Sequence, residues 1–501
     1  MKIIKSSLTI YVLFAIFAIV KPQKVQAKTF SSYQTKIINN KNYGVYTNLT
    51  KNGPRGWRVN TQTLRYANYQ ASQMRRIGKT NYWYVLIDGH LAGWVNENAF
   101  AKNKISVAKN ISLVYNPEYS FPTRDAINYA TDAQGTSIDV KKVHVSKNSI
   151  DSAKVGKHKI KFTYGKGHAS ATVIVRSNKK EGIKKGKAKP QSGGTTKTWL
   201  HHYKTSGNWG KGASYAPETK PHTLRSKGLN LKTVFYQPAT LSQGATPTGA
   251  MGPTPEGMVM SNGVMYASMY LHPYLERARI VSYKMNAIPD KYVMQKLPWI
   301  EWNQFVNLAK DIKISPYIKL GHGQTLSASK NYLYVIANDH NLKNSPQSEE
   351  IMQISKKDLQ IKKIWTFKIW NGSKNKPKYI HNATFVSDKK FYAVQHNGTE
   401  HQFEYWEVTR HGNEWHPKQI GITKGEFMKN GSPVQGFTYD SKKKEFYLAF
   451  NDCIMRIAKN GKLLSTHHYN TGREIEGVSA VGNTLYVELA ERPELMSGKI
   501  S

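Results

Sequence analysis

The sequence predicts an all-β protein that ends in a five-bladed β-propeller. One observation is a block of strand, polar turn and Tyr-bearing strand that recurs five times after residue 250, in copies beginning at Pro255, Gly323, His381, Gln435 and Glu476. Hairpins that recur every roughly 40–70 residues are typical of propeller blades. The other observation is a series of short alternating strands before residue 180, which predicts two smaller β-domains.

Residues 1–27 have the pattern of a secretory signal peptide. Lys2 and Lys5 give a positive start, an apolar stretch covers residues 8–20, and Val25-Gln26-Ala27 is a small-residue cleavage site. The apolar stretch of about 13 residues is short for a membrane span, and an uncleaved anchor is the alternative. No later run is long and apolar enough to cross a bilayer. We therefore expect a secreted, extracellular protein without a membrane span after cleavage.

The charge of the chain predicts a polyanionic partner. Lys and Arg number 73 against 32 Asp and Glu, a formal net charge of +41. Such a charge attracts polyanions, and outside the membrane of a Gram-positive cell these are teichoic and lipoteichoic acids. Cys453 is the single cysteine, so the chain can form no internal disulfide, which suggests Gram-positive secretion. The sequence has no zinc-ligand spacing, helix-turn-helix pattern or RNP-like pattern, so we expect no specific nucleic-acid partner. The alternative to a polyanionic partner is a basic, solvated surface with no dedicated partner.

Residues 28–104 contain short aromatic strands that predict a small SH3-like barrel. Three stretches, Tyr43-Gly44-Val45-Tyr46, Trp83-Tyr84-Val85 and Gly93-Trp94-Val95, resemble the GW module of Gram-positive surface proteins. The resemblance covers about 70 residues and one module, where relatives often carry several. It implies non-covalent attachment to the cell wall, with lipoteichoic acid as the usual ligand.

Basic and aromatic residues of this module are the candidates for wall binding. The three cations would contact phosphates of the wall polymer, and for the tryptophans, Trp57 included, a place in the barrel core is the alternative. The predicted wall-binding residues are Arg75, Arg76, Lys79, Trp83 and Trp94.

Residues 105–177 alternate in strands that predict an Ig-like β-sandwich. The stretches 156–164 and 171–175 resemble a bacterial Ig-like surface domain, which implies a spacer. His144, His158 and His168 are spaced too irregularly for a metal site. The Lys-rich residues 178–198 predict a flexible basic linker.

The propeller is predicted for residues 199–501. The last copy of the repeat leaves few residues for outer strands, and Leu231–Tyr236, ahead of the first copy, could supply the missing strand and close the ring. Closure would remove an exposed sheet edge.

Aligning the five copies on their second-strand tyrosines identifies one polar residue at the start of each inner strand. Inner strands line the central channel of a propeller, so these side chains should face one another near its mouth. Such a ring suits a sugar, a water cluster or a cation, and a hydrated polar cap is the alternative. The ring residues are Glu256, Gln324, Asn382, Gln435 and Glu476.

The function predicted from these features is non-catalytic binding at the cell surface. The sequence contains no HExxH, GxSxG or Walker pattern, and we expect no metal site, no cofactor and no enzyme activity, although the ring leaves room for a channel cation. Two alternatives stay open. The blade layout of the C-terminal part resembles the helveticin-type bacteriocins, which implies killing of related bacteria. Glu256 and Glu476 belong to neighbouring blades of a closed ring, which would suit a propeller glycosidase.

Overall fold

The structure is a computed structural model that describes residues 34–182, 186, 188–193, 217–238, 254–270, 276–337, 348–370, 378–398, 400–425, 434–490 and 492–500. The predicted signal peptide lies outside these residues. The described chain is mostly β-strand, with one α-helix, α1 (Trp302–Ala309), and short 3-10 turns, which confirms the all-β prediction. Within the described ranges no helix has the length and apolar character needed to cross a membrane.

The N-terminal part is a six-stranded barrel, which confirms the SH3-like prediction. Its strands are ordered β1-β4-β5-β6-β2-β3, and the side chains of Val45, Val85 and Val95 are fully buried inside it. The strands are β1 (Gln34–Lys36), β2 (Gly44–Thr50), β3 (Gly53–Asn60), β4 (Tyr69–Ile77), β5 (Thr80–Ile87) and β6 (His90–Asn96).

The middle part is a small sandwich, as the sequence predicts. Two short pairs, β7 with β10 and β9 with β12, face a sheet ordered β11-β13-β14-β8, and Ile160, Phe162 and Val173 are buried between them. The strands are β7 (Ile105–Val107), β8 (Asn110–Leu113), β9 (Ser120–Pro122), β10 (Ile127–Ala130), β11 (His144–Val145), β12 (Ser149–Asp151), β13 (Gly156–Tyr164) and β14 (Gly167–Val175).

The remaining strands form five antiparallel blades. Three strands precede the first blade: β15 (Pro190–Ser192), β16 (Thr223–Leu224) and β17 (Leu231–Tyr236). The first blade contains β18 (Thr254–Ser261), β19 (Val264–Tyr270), β20 (Arg277–Lys284), β21 (Ile312–Ile314) and β22 (Ile318–Lys319); the second contains β23 (Ser327–Ala328), β24 (Tyr332–Ile336), β25 (Glu349–Ser355) and β26 (Ile361–Phe367). The other blades contain β27 (Asn382–Ser387), β28 (Lys390–Asn397), β29 (Gln402–His411) and β30 (Glu414–Lys424); β31 (Gly436–Asp440), β32 (Glu445–Ala449), β33 (Cys453–Ala458) and β34 (Leu463–His468); and β35 (Ile475–Val481), β36 (Thr484–Leu489) and β37 (Glu494–Lys499).

The ring of blades is closed by β17. This strand pairs antiparallel with β37, with Lys232 opposite Ser497, and so completes the fifth blade. The inner strands contact one another in the cyclic order β18, β23, β27, β31, β35 and back to β18. The predicted five blades and the predicted closing strand are both confirmed.

The barrel packs directly on the propeller. Val45 and Leu64 of the barrel belong to one hydrophobic core with Met258 and Met265 of the first blade. Helix α1 extends this contact, because the His90 ring lies 4.4 Å from the ring of Phe305. The barrel is therefore a docked part of one body.

The sandwich is joined to the propeller by a shared sheet. Strand β8 pairs in parallel with β14 on one side and with β26 of the second blade on the other. The sequence predicts a separate spacer here. Parallel pairing between distant segments leaves no local pattern in a sequence, which is why the shared sheet is not predicted.

The basic segment after the sandwich is also held by the propeller over its described part. Strand β15 pairs in parallel with β30, the outer strand of the third blade, with Pro190 opposite Ile422. The predicted flexible linker is therefore wrong for residues 190–192, because main-chain hydrogen bonds to an open blade edge hold them in place.

Candidate functional site

An aromatic row crosses the outer face of the barrel. Directly opposed positions of the neighbouring strands β5, β6, β2 and β3 hold, in that order, Tyr84, Trp94, Tyr46 and Trp57. Directly opposed residues of antiparallel strands point to the same face of the sheet. Trp57 is 61% exposed at the end of the row.

The opposite face of the same strands forms the barrel core. The corresponding row on that face consists of four buried residues, Trp83, Val95, Val45 and Val59. A β-bulge in β3 lets Val59 point inward while Trp57 points outward. The alternation of the strands therefore places the two tryptophans of the predicted site on opposite faces: Trp83 lies in the core, and Trp94 lies in the row, where its neighbours leave it only 6% exposed.

Arg75 adds a positive charge to the aromatic row. Its guanidinium carbon lies 5.1 Å from the centre of the Trp94 ring, and Tyr84 meets that ring edge-on at 5.2 Å. A guanidinium held over an indole face is stabilised by cation–π attraction and keeps N–H groups for an anion. The row thus combines aromatic faces with a fixed cation.

Gly93 makes the row possible by its lack of a side chain. Its φ is +135°, and a Cβ at this position would lie 2.1 Å from the carbonyl oxygen of Tyr46. Only glycine lets β6 approach β2 this closely and in this conformation. The Gly93-Trp94 dipeptide therefore brings Trp94 beside Tyr46.

The other predicted wall-binding residues are separate from the row. Arg76 is exposed on the next position of β4, where its Nε donates a 3.0 Å hydrogen bond to the carbonyl oxygen of Gly78, and Lys79 is exposed in the adjoining turn. Trp83 is 7% exposed, with Lys36 Nζ 3.6 Å from its ring centre, and Trp94 is 6% exposed. The burial of both side chains agrees with the alternative role, in which these tryptophans are structural residues of the barrel. Trp57 is not among the predicted wall-binding residues, although Arg55 and Arg58 on either side of it are a signal of an exposed strand.

Three of the five predicted ring residues are joined by hydrogen bonds at the channel. Gln324 Nε2 donates a hydrogen bond to Gln435 Oε1, and Gln435 Nε2 donates one of 3.1 Å to Glu476 Oε1. The first bond joins the second and fourth blades and so runs across the channel, and the second joins the neighbouring fourth and fifth blades. Glu256 of the first blade lies 3.3 Å from His322 Nε2. Asn382 is buried at the start of the third inner strand, and its Nδ2 has no hydrogen-bond partner among the described residues.

The channel mouth, meaning the region of these five side chains, is rich in carboxyl groups. Burial raises the pKa of Glu256 well above its usual range, and the nearby carboxylates of Glu474 and Glu488 raise it further. Burial likewise raises the pKa of Glu476, with Glu256 and Glu474 as the next causes. Burial also raises the pKa of Glu488 to about 8. In a chain with a net charge of +41 the mouth is thus a local acidic site.

Sequence reasoning missed two of these carboxyl groups. Glu474 precedes the fifth inner strand, and Glu488 lies near the end of the second strand of that blade. The start of the first strand and the end of the second strand lie side by side in a blade, so a Glu at the end of a blade's second strand is the signal that could have identified Glu488. Among the described residues no group of three or more His, Cys, Asp and Glu is arranged to hold a metal ion.

Comparisons with known families identify two of the three parts. The GW (Gly-Tryp) dipeptide domain family matches residues 26–101, and the bacterial Ig-like domain (group 3) family matches residues 120–176. A search of curated proteins found no match, and the resemblance to helveticin-type bacteriocins stays a prediction.

Several solved structures are similar to part of the chain. A glutaminyl cyclase of Myxococcus xanthus is 9% identical over 56% of this chain and 95% of its own, with a TM-score of 0.31. A virginiamycin B lyase of Staphylococcus aureus is 10% identical over 50% of this chain and 96% of its own, with a TM-score of 0.25. The β-propeller domain of Cps50 (Swd1) of Myceliophteria thermophila is 8% identical over 47% of this chain and 62% of its own, with a TM-score of 0.25. At these values the similarities say nothing about the function of this chain.

The three parts have different kinds of support. The family matches identify the first two parts, and the closed ring of blades identifies the third. A GW domain implies association with the cell wall. The chain therefore carries an N-terminal GW domain, a bacterial Ig-like domain and a C-terminal β-propeller, the organisation of a cell-wall-associated surface protein.

Proposed function

We propose that this protein is secreted by a Gram-positive bacterium and attaches non-covalently to (lipo)teichoic acid through its GW domain. The observation that carries the proposal is the aromatic row with Arg75 over Trp94. Aromatic faces cover the apolar faces of sugar rings, and a guanidinium pairs with a phosphate. A glycosylated polyol-phosphate polymer offers both groups, and the charge of +41 raises its concentration near the protein.

Retention on immobilised lipoteichoic acid tests this proposal. Trp57→Ala and Arg75→Gln each remove one contact of the row, and we expect each to weaken retention by about tenfold. The matched controls are Ile174→Ala and Lys157→Gln, which remove an exposed apolar side chain and an exposed cation from the sandwich and should leave retention unchanged.

Two outcomes would contradict this site. One is a native protein that is not retained at physiological salt. The other is equal retention of the row variants and the sandwich variants, which would assign binding to the overall charge. Because exposed charges are screened by salt, retention of the native protein should also fall as salt is raised.

We infer that the propeller is a binding head without catalytic chemistry. A glycosidase needs one carboxyl group ionised as base or nucleophile while the other is protonated. At the channel mouth burial shifts both Glu256 and Glu476 toward the protonated form, which suits hydrogen bonding to a polar ligand.

Glycoside hydrolysis is the second candidate, and the two carboxyl groups on neighbouring blades favour it. Release of sugar from wall polysaccharide by the native protein, lost in Glu256→Gln, would establish it. Clearing of lawns of related bacteria by the native protein would instead support the bacteriocin-like alternative. Retention on cells with neither sugar release nor clearing is the expected result.

A further inference from the structure

A large cavity lies where the barrel, the sandwich and the propeller meet. Its volume is about 980 Å³, and its lining includes Lys36 and Tyr66 of the barrel, Tyr129 of the sandwich and Tyr317 of the propeller. Ligand-binding cavities commonly have volumes of roughly 300–1,000 Å³. This junction cavity is distinct from both the aromatic row and the channel mouth.

Two arginines of β20 line the cavity and are fixed by all three parts. Arg279 Nη1 donates a 2.6 Å hydrogen bond to Asn68 Oδ1 of the barrel, and its guanidinium carbon lies 4.3 Å from the centre of the Tyr317 ring. Arg277 Nη2 donates to the carbonyl oxygens of Ile127 in the sandwich and, at 2.7 Å, of Tyr317. Their orientations are therefore set before any ligand binds.

Each of these arginines keeps one nitrogen without a hydrogen-bond partner among the described residues. The atoms are Arg277 Nη1 and Arg279 Nε, both shielded from solvent, and the Arg279 side chain as a whole is 3% exposed. A buried donor without a partner is costly, and a charged one more so. An acceptor in the cavity would remove this cost after a small shift of the guanidinium groups toward it, because neither nitrogen is exposed in the structure without a ligand.

The acidic residues of the lining already have ion-pair or hydrogen-bond partners within the protein. Glu276 forms a 3.0 Å ion pair with Lys319, Asp358 forms one of 2.6 Å with Lys362, and Asp139 accepts a hydrogen bond from the main chain of Lys141. Of the described lining residues, five are Lys or Arg and three are Asp or Glu. The cavity therefore favours an anion.

We propose that the junction cavity binds a small anionic sugar, with its carboxylate or phosphate on Arg277 and Arg279 and its ring against the tyrosines. Tyr66, Tyr129 and Tyr317 supply the aromatic faces that a pyranose ring covers. The oxyanion accepts hydrogen bonds from Arg277 Nη1 and Arg279 Nε, the two nitrogens that have no partner among the described residues. Because the ligand would touch all three parts, its binding would also stabilise their arrangement.

Calorimetric titration of the full secreted chain with glucose 6-phosphate, glucuronate and glucose tests this proposal. The three probes share one ring and differ in the group at carbon 6. We expect one or both anionic sugars to bind and glucose to bind at least tenfold more weakly. Binding of only one anionic sugar would identify phosphate or carboxylate as the preferred group.

Two variants connect binding to the cavity. Arg279→Met removes a donor, and Arg65→Gln removes a cation that lines the cavity outside the buried network. We expect about a 10- to 100-fold loss for the first and a smaller loss for the second. The thermal midpoint of each variant shows whether it is folded, and Lys157→Gln and Trp57→Ala should bind as the native chain does.

Three results would overturn the proposal. They are no binding of either anionic sugar at millimolar concentration, equal binding of glucose, and unchanged binding by a folded Arg279→Met chain. Retention on lipoteichoic acid is measured separately through Trp57, so failure at this cavity would leave the wall-binding proposal standing.

Discussion

Arg176 and Glu181 form a bidentate ion pair that is buried between the sandwich and the propeller. Arg176 Nε lies 2.7 Å from Glu181 Oε2, and Arg176 Nη2 lies 2.6 Å from Oε1. The same guanidinium donates to the carbonyl oxygen of Thr366 in the second blade at 2.8 Å. Glu181 Oε1 accepts a 2.9 Å hydrogen bond from the main chain of Trp415 in the third blade. The pair therefore holds the sandwich and two blades together.

Glu181→Gln should destabilise the protein by about 3–5 kcal/mol, because it leaves a buried guanidinium without its counter-charge. Urea-induced unfolding measures this loss. Asp151→Asn is the matched control, since it removes an exposed ion pair of 3.8 Å with Lys154 and should cost less than about 1 kcal/mol. Equal losses in the two variants would mean that Arg176 finds another partner or reaches water.

Gly93→Ala should destabilise the barrel and reduce retention on lipoteichoic acid. The new Cβ would collide with the carbonyl oxygen of Tyr46, so β6 must move away from β2 and separate Trp94 from Tyr46. Gly78→Ala is the control: its φ is +57°, but no atom lies within 4 Å of the new Cβ, and it should cost only about 1 kcal/mol. Thermal unfolding and polymer retention of both variants test this, and similar behaviour would contradict the close-approach argument.

Phe235→Ala should open the closing strand of the propeller and cost about 3–5 kcal/mol. Phe235 is fully buried in β17 and meets the ring of Tyr283 edge-on at 5.4 Å, so it joins the fifth blade to the first. Val386→Ala truncates an exposed side chain of the third blade and should be close to neutral. Equal urea midpoints for these variants would argue against closure by β17.

Stability should fall as pH rises from about 5 to 8. Burial raises the pKa of Glu488 to about 8 from its ordinary value of 4.5, so between these values the folded state holds a proton that the unfolded chain has lost. The contribution of this bound proton to the free energy of unfolding is complete below pH 4.5 and is lost as pH rises through 8. Urea unfolding at pH 5, 6.5 and 8 should show this decline.

Glu488→Gln mimics the protonated acid and should make the decline shallower by up to about 1.4 kcal/mol per pH unit. It should therefore be more stable than the native protein at pH 8. Glu118→Gln, at an exposed position, should keep the native slope. A native slope in Glu488→Gln would mean that Glu488 is ionised in the folded protein.

The hairpins could be predicted because their patterns are local, and the closing strand could be predicted because the last copy of the repeat leaves too few residues for its outer strands. A polar turn between two apolar strands specifies a hairpin within about 15 residues, and repetition of the hairpin specifies the ring. The same alignment located Gln435 and Glu476, which the structure joins by a hydrogen bond. Inner strands start at the same end of every blade, so equivalent positions in the repeat become neighbours in space.

Other features depend on contacts between distant segments. The exposure of Trp57 depends on a bulge in β3, and the burial of Arg279 depends on Asn68, more than 200 residues away. Strand β8 pairs with β26, whose position follows from packing and not from any pattern near residue 110. These contacts decide the candidate surfaces, and the sequence alone does not specify them.

Strand β8 also determines how the protein would respond to mechanical load. An anchored barrel in flowing liquid would pull on whatever connects it to the propeller. In this chain the barrel shares a core with the first blade, and the sandwich that follows the barrel is joined to the second blade by a continuous sheet through β8. Tension would be borne by many main-chain hydrogen bonds at once, and the channel mouth would keep a fixed direction relative to the surface that the barrel holds.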